Sequence, residues 1–520
     1  MPKRHCPIRL LSGLESLRRK SLSIAFGLGV MVNVSLPAKA SVSLLEVVRT
    51  ALDHAPAMLL QKEIVRISES DVLDARSAFD PGVSLLIGYR KDASSSLYGT
   101  ELKTVTSSLS SSTLLPIGLI VRPELSVLGY TPSGTLSSSE ASAGVTLTFP
   151  LMEGFGNNSF QTALKAFLKT YKAENYALQH AASITIYSAA DAYWNYLYAY
   201  RTLKLDHQLV QSADESFQAT KTLAGAGEIA LIQVNQAEAY FQQAEMDEVS
   251  AAQSLRQAWN TLFLAMGISN TGRENPEEPV DFFPLPDGHV PVLNELTGLK
   301  TRAKEFRADL HSLQLRGAAS NDLLSGSRNR MKPKIDLDLW AGYNGQHNGS
   351  AVDDYLSSLT RGIPGINVSA TLRYTFDAGN HADEAAFLRS RAQYETALIN
   401  RQVLERTIDG GVGLAAESVK NAAALWHISM QSAKSYRLLN AAEIKKYRTG
   451  MSDLFKVQRI STDLANAEKQ LLAAEKAYAS SLLTLRFEVA ALMRVEDGCY
   501  GVDASDLVTF PQFGNTSKKQ

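Results

Sequence analysis

The sequence predicts an α+β fold, mostly α-helical, in which a long helical hairpin and a pair of β-strands each occur twice. The first observation behind this prediction is an internal repeat: residues 227–234 align with residues 450–457 at a spacing of 223 residues. The second is that apolar residues recur every seven positions after each of these glycines, with Glu248 as the one charged exception in the first copy, which is typical of helices with coiled-coil packing. In the second copy these positions are Val457, Leu464, Leu471, Tyr478, Leu485 and Leu492.

The third observation is that two strand-like segments precede the long helices in each copy. Residues 145–151 align with 370–376 at a spacing of 225, and residues 81–87 align with 333–339 at a spacing of 252. Both pairs alternate apolar and polar residues, which indicates strands with one apolar face. Because the two spacings differ by 27, the first copy has 27 more residues between its strands than the second copy has. We expect an exposed loop there, with a further strand-like piece at 117–128.

These segments give four β-strands per chain, each about as long as a membrane-spanning strand. Four strands with open edges need a cover, and they are too few to close a membrane barrel, which takes about eight. We therefore expect several copies of the chain to pool their strands. A soluble β-subdomain beneath the helices stays open as an alternative.

The helices are predicted to be unusually long. Residues 159–224 contain neither proline nor glycine, so they could form a single helix of roughly 100 Å. The matching stretch is 381–449, where Gly410, Gly411 and Gly413 interrupt the pattern. Heptad-patterned helices of this length are typical of a bundle or a tube.

The N-terminus has the features of a secretory signal. Residues 18–20 are basic, residues 24–36 are mostly apolar, and residues 38–40 read Ala-Lys-Ala. We predict an exported mature chain that starts near Ser41, and an uncleaved membrane helix is the alternative. The chain balances 52 basic residues against 53 acidic ones, so no nucleic-acid partner is expected.

No motif in the sequence indicates catalysis or a cofactor. There is no Walker-type phosphate loop, no G-x-S-x-G elbow and no H-E-x-x-H motif. His347, His381 and His427 have no partners at ligand spacing, so no metal site is expected. We interpret the dense aromatic residues between Tyr187 and Tyr200 as helix packing and not as a ligand cage.

The ordered set of features resembles the TolC-like outer-membrane efflux family over the whole mature chain. Residues 41–56 are similar to the opening helix of that family. The first turn carries the resemblance in Gly227, Val234, Gln236, Ala237 and Glu238, and the second in Tyr447, Gly450, Leu454 and Val457.

The resemblance implies a homotrimer whose chains form a 12-stranded β-barrel in the outer membrane and an α-helical tunnel in the periplasm. It implies a passive channel of a tripartite efflux or type I secretion system. Its partners would be a periplasmic adaptor protein and an inner-membrane pump or ABC transporter. The alternative function is that of a soluble periplasmic coiled-coil adaptor or scaffold.

The domain boundaries follow from the repeat and the resemblance. Strands are expected within 83–151 and 335–376, and long helices at 159–266 and 381–493. The segments are a signal at 1–40, a first repeat at 41–267, a linker at 268–292, a second repeat at 293–496 and a tail at 497–520.

The resemblance also places the candidate site at the two glycine turns, which would be the periplasmic tip of the tunnel. Lys456 and Arg459 stand where many family members have acidic residues, so a trimer would gather six positive charges. The entrance would then disfavour cations, or it would need a counter-charge from an adaptor to stay shut. The alternative is that Lys456 pairs with Asp453 on a solvated surface. Expected docking residues are Gly227, Ile229, Val234, Gly450, Leu454 and Val457, and expected constriction residues are Tyr447, Lys456 and Arg459.

Overall fold

The computed structural model describes residues 42–93, 102–132, 136–155, 161–271, 275–286, 293–349, 352–358, 360, 365–496 and 499–511. The predicted signal at 1–40 lies outside these residues, as do residues 272–274 and 287–292 of the predicted linker and residues 512–520 of the predicted tail. The described chain divides into two units. The sheet unit comprises Glu63–Tyr176 and His311–Val403, and the helical unit comprises the rest.

The helices confirm the predicted lengths. The two longest, α3 and α8, have 64 and 68 residues, and each is followed after a short turn by a helix of about half that length. The helices of the described residues are α1 (Leu44–His54), α2 (Pro56–Ser77), α3 (Thr162–Gly225), α4 (Leu231–Met266), α5 (Leu293–Phe306), α6 (Ala308–Arg330), α7 (Val352–Ser358), α8 (His381–Arg448), α9 (Leu454–Glu488) and α10 (Ser505–Val508).

The sheet unit contains one antiparallel sheet in which six strands follow one another in sequence order. Two short strands, β7 (Arg494–Glu496) and β8 (Cys499–Gly501), form a separate hairpin in the helical unit. The six strands of the sheet are β1 (Gly82–Asp92), β2 (Leu102–Leu114), β3 (Ile120–Pro132), β4 (Ser138–Pro150), β5 (Lys334–Asn348) and β6 (Asn367–Thr375).

The sheet therefore has six strands instead of the four predicted. The region expected to be an exposed loop forms a complete hairpin, β2 and β3, between the two strands of the first copy. Eight of the 13 residues of β2 are serine or threonine. That composition gives little apolar alternation, so the period-two pattern used to find the other strands is weak here.

One face of the sheet is mainly apolar and the other is mainly polar. Val83, Leu85 and Ile87 of β1 share a face with Val368 and Leu372 of β6, because directly paired residues lie on the same side of an antiparallel sheet. Most of these side chains are exposed within a single chain.

At the end of the sheet away from α3 and α8, the short helix α7 packs near Ser139, whose hydroxyl donates to the carbonyl of Asp354 at 3.2 Å.

The polar face carries Trp340 in a place that only glycine neighbours allow. Gly144 and Gly342 are paired across β4 and β5. A Cβ atom added to Gly144 would lie 2.6 Å from the indole nitrogen of Trp340, and one added to Gly342 would lie 2.7 Å from the same ring. The indole therefore lies against the backbone of both glycines. We infer that glycine occurs at these two positions because any side chain there would clash with the ring.

The helical unit is packed by small residues near its turns and by aromatic residues farther along α3. Ala244 and Ala251 of α4 are buried, as are Ala467 and Ala474 of α9. These are equivalent positions of the two copies, and they lie three residues after the heptad positions identified in the sequence, such as Phe241 and Leu464. Alanine allows close approach of neighbouring helices.

The aromatic residues of α3 confirm the packing interpretation. Tyr193, Trp194 and Tyr196 are fully buried. The hydroxyl of Tyr193 donates to Asp281 at 2.8 Å, and Asp281 also accepts the backbone N–H of Leu44 at 2.7 Å. Burial raises the pKa of the Tyr193 phenol above its ordinary value, so it stays a donor. These bonds fix the linker and the start of α1 on α3.

The first part of the predicted tail belongs to the folded core. Leu507 is fully buried. Phe510 is 8% exposed and belongs to the same hydrophobic cluster as Leu482 and Leu485 of α9. Arg486 donates to the hydroxyl of Thr509 at 2.7 Å. The described residues of the tail are therefore held by both apolar and polar contacts.

Candidate functional site

The two glycine turns have the same backbone geometry. Gly227 and Gly450 adopt positive φ angles of 77° and 74°. After α3, the N–H of Glu228 donates to Leu223 at 3.0 Å, and that of Gly227 donates to Ala224 at 3.0 Å. After α8, the N–H of Met451 donates to Lys446 at 2.9 Å and that of Gly450 to Tyr447 at 3.0 Å.

This pair of bonds is the Schellman motif, which ends a helix through one left-handed residue. Glycine takes that conformation without steric cost because it has no Cβ atom. The sequence alignment at a spacing of 223 residues is thus confirmed at the level of individual hydrogen bonds.

The helices that leave the turns start differently. Asp453 is the N-cap of α9, and its carboxylate accepts the backbone N–H of Lys456 at 2.9 Å. Ala230 holds the equivalent place before α4 and provides no side-chain cap. The second turn is therefore more firmly defined than the first, since a capping carboxylate stabilises a helix start by about 1 kcal/mol.

Glu443 ties the second turn to the end of α8. Its carboxylate accepts the hydroxyl of Ser452 at 2.5 Å and the ammonium of Lys446 at 3.1 Å. These bonds, with the Ser452 bond contributing most, lower the pKa of Glu443 below its ordinary value. The carboxylate thus stays charged and holds the turn residue Ser452 against α8.

The predicted docking residues differ in exposure. Gly227 and Gly450 are exposed, while Ile229, Val234 and Val457 are half-buried. Leu454 is buried, with 8% of its surface exposed. It therefore packs inside the second turn and does not present its side chain to a partner.

Four large apolar side chains that the sequence analysis did not select are exposed at the turns. Leu231 and Ile232 begin α4, Met451 belongs to the second turn, and Phe455 lies in the first turn of α9. Ile232 and Phe455 are equivalent by the 223-residue spacing, with 64% and 58% of their surfaces exposed. The sequence signal that could have found them is that both directly follow the first residue of their helices.

The predicted constriction residues also lie at the second turn. Tyr447 is half-buried, and Lys456 and Arg459 are exposed. The ammonium of Lys456 lies 3.4 Å from the carboxylate of Asp453, and both side chains are more than half exposed. This geometry agrees with the alternative in which Lys456 pairs with Asp453 on a solvated surface.

The described part of the chain has neither a membrane-spanning helix nor a cluster of metal ligands. Within it, no helix combines the length and the apolar character that crossing a membrane requires. In the same residues, no group of three or more histidine, cysteine, aspartate or glutamate side chains is placed to hold a metal ion.

Comparison with known proteins connects this geometry to a family. Residues 47–268 match the family model described as outer membrane efflux protein. The match covers the first of the two copies of the internal repeat. No match was found among curated proteins.

Solved structures extend the likeness to the second copy. The outer membrane channel CmeC of Campylobacter jejuni is 14% identical, with a TM-score of 0.65 over 90% of this chain and 94% of that one. VceC of Vibrio cholerae is 15% identical, with a TM-score of 0.63 over 86% and 95% of the two chains. The outer membrane channel MtrE of Neisseria gonorrhoeae, in its open state, is 15% identical, with a TM-score of 0.61 over 86% and 88%.

The family gives the function class and these structures give the fold. The match over residues 47–268 and the fold shared with outer membrane channels both favour the function class expected from the sequence, an outer-membrane efflux channel with a periplasmic helical part. They do not favour the alternative of a soluble periplasmic adaptor. The expected fold class is confirmed in its long helices and its β-sheet.

Proposed function

We propose that three copies of this chain form one continuous duct, which conducts exported molecules passively and catalyses no reaction. The observation that carries the proposal is the state of the sheet edges. All nine residues of β6 are exposed, and so are nine of the 11 residues of β1. Open edges of this length are templates for pairing with another chain. Pairing of β1 in one copy with β6 in the next would close them.

The apolar face of the sheet supports a membrane location for the closed structure. Val83, Ile87 and Val368 each expose more than 70% of their surface. An apolar face of this extent needs a cover. We propose that lipid of the outer membrane provides it, since the strands of 9 to 15 residues are about as long as membrane-spanning strands.

We propose further that the two glycine turns dock onto a periplasmic adaptor protein. The adaptor would couple the duct to an inner-membrane pump or to an ABC transporter of a type I secretion system. The support is the exposed apolar pair Ile232 and Phe455, which the internal repeat presents at equivalent places. A trimer would present three copies of each.

Adjacent leucines of β1 provide the experiment. Leu85 lies on the apolar face and Leu86 on the polar face, and both are exposed in the single chain. We expect Leu85→Lys to reduce the amount of heat-sensitive trimer in the outer-membrane fraction, because a lysine facing lipid costs about 2–4 kcal/mol at mid-depth. Leu86→Lys is the matched control and should leave the trimer intact. Equal effects of the two variants, or a wild-type chain that stays monomeric in the soluble fraction, would contradict the proposal.

A further inference from the structure

We propose that the hairpin of β2 and β3 is a third membrane-inserted hairpin, so that each chain contributes six strands and a trimer closes an 18-stranded barrel. The inference rests on the proposed trimeric duct and goes beyond the 12 strands that the family resemblance implies. A barrel widens roughly in proportion to its strand number, so 18 strands give a pore about 1.5 times as wide as 12 strands do.

The hairpin is continuous with the rest of the sheet. All 11 residues of β1 pair with β2, and β3 pairs with β4 over 11 consecutive residues. A flap folded over one end of the sheet would pair with its neighbours over only part of their length. With 13 residues each, β2 and β3 are also as long as β4.

The connections of the hairpin fit a membrane barrel. At the end of the sheet next to α2 and α3, β2 and β3 are joined by the short turn 115–119, where the N–H of Gly118 donates to Leu115 at 2.8 Å. At the opposite end, residues 93–101 join β1 to β2 and residues 133–137 join β3 to β4, and the first of these connections is longer than the turn 115–119. Membrane barrels have short periplasmic turns and longer extracellular loops, and the helices mark the periplasmic end in the proposed duct.

The side chains of the hairpin continue both faces of the sheet. Leu109 of β2 pairs with Leu85 of β1 and with Leu125 of β3, which places all three on the apolar face. Leu109 and Leu125 are exposed in the single chain. A soluble hairpin on the outside of a barrel would have no reason to keep its apolar residues in line with those of its neighbours.

Serines continue the polar face across the same strands. The hydroxyls of Ser84 and Ser110 are 2.8 Å apart between β1 and β2, and those of Ser126 and Ser142 are 2.7 Å apart between β3 and β4. These hydroxyl pairs suit the wall of a water-filled pore. They also account for the five serine and threonine residues of β2 on this face, whereas Ser107, Ser111 and Thr113 lie on the opposite face.

Cysteine scanning of the whole chain in outer-membrane vesicles tests the inference. In a Cys499→Ser background, Leu125→Cys and Ser126→Cys place a thiol on opposite faces of β3. A hydrophilic, membrane-impermeant maleimide should label Ser126→Cys roughly tenfold faster or more, because burial in hydrocarbon disfavours the reactive thiolate. When a fluorescent thiol-reactive probe is attached to Leu125→Cys, brominated lipid should quench its fluorescence.

Matched positions on β4 separate this inference from the proposed function. Val145→Cys lies on the apolar face and Thr146→Cys on the polar face of β4. β4 has an equivalent strand, β6, in the second copy of the repeat, whereas the hairpin of β2 and β3 has none. If β4 shows the alternating pattern and both β3 thiols are labelled rapidly by the maleimide, the hairpin lies in water and the inference is overturned while the duct stands. If neither strand alternates, the proposed function itself is overturned, and the inference with it.

Discussion

At the scale of single residues, the two copies differ at one helix end in a way that has a thermodynamic consequence. Gly267 ends α4 and Ala490 ends α9, and they are equivalent by the 223-residue spacing. Both take a left-handed conformation, with φ angles of 73° and 53°, and both make the two bonds of a Schellman motif. The second copy therefore carries a Cβ atom where the conformation favours glycine.

We predict that Ala490→Gly stabilises the protein. The left-handed conformation costs a residue with a Cβ atom about 1–2 kcal/mol, and glycine removes this cost. Glycine also stabilises the unfolded chain by about 0.4–1 kcal/mol through its greater conformational entropy, which offsets part of the gain. The net gain in the free energy of unfolding should be up to about 1 kcal/mol, measured by denaturant unfolding in detergent. Gly267→Ala is the opposite change. It should destabilise strongly, because its Cβ atom would meet the carbonyl of His54. A loss of stability in Ala490→Gly would show that the alanine is not strained.

We also predict a pH dependence at the second turn. The folded-state pKa of Glu443 is lowered. Its contribution is therefore fully present above the ordinary carboxyl value of about 4.3 and is lost as pH falls through the lowered value. Hydrogen exchange at the amide of Met451 should accelerate as the pH falls below about 4, after correction for the intrinsic rate. Glu443→Gln should make this amide exchange faster at neutral pH and remove the dependence. An unchanged protection factor in that variant would contradict the role of the carboxylate.

At the scale of elements, the sequence was sufficient where chemistry is local. A left-handed glycine and a seven-residue apolar step identify the turns at Gly227 and Gly450 and the helices on either side. The hairpin of β2 and β3 was not predicted as a pair of strands, because its identity depends on pairing with β1 and β4 and not on its own composition. The same limit applies to Leu454, whose burial follows from the packing of the turn and cannot be inferred from its place in a motif.

The exposed apolar residues of the turns lead to a prediction about docking. A photo-cross-linking residue at position 232 or 455 should form an adduct with the adaptor protein in cells, because both side chains are exposed at the start of a helix that leaves a turn. Position 249 is the matched control, since Val249 is also an exposed apolar residue of α4 but lies well beyond its first turns. Adducts should be absent there. Equal adduct yields at positions 249, 232 and 455 would show that the turns are not the docking surface.

At the scale of the whole molecule, the charges at the turns lead to a prediction about ion selectivity. Lys456 is paired with Asp453, which reduces the positive field that Lys456 and Arg459 would otherwise produce. We propose that the trimeric opening still disfavours cations, since each chain keeps one more positive than negative charge among these three residues. The reversal potential of single channels under a salt gradient should show anion preference. Asp453→Asn should increase that preference.

A charge-conserving variant provides the control for selectivity. Lys456→Arg should keep the wild-type reversal potential, whereas Lys456→Gln should shift it toward cations. Clear cation selectivity of the wild-type channel at neutral pH would contradict the prediction.

The sequence predicted the function class at this scale because duplication, long helices and alternating strands occur in one order. It could not predict the strand number, which is a property of the assembled sheet.

The direction of the strands restricts how such a duct can change its calibre. β1 and β4 run in opposite directions with two strands between them, so their relation is the same as it would be without the insertion. An odd number of added strands would leave the following helix on the wrong side of the membrane. In a threefold assembly, the circumference can therefore grow only in steps of six strands. Intermediate bores are not accessible to this architecture through insertions of this kind.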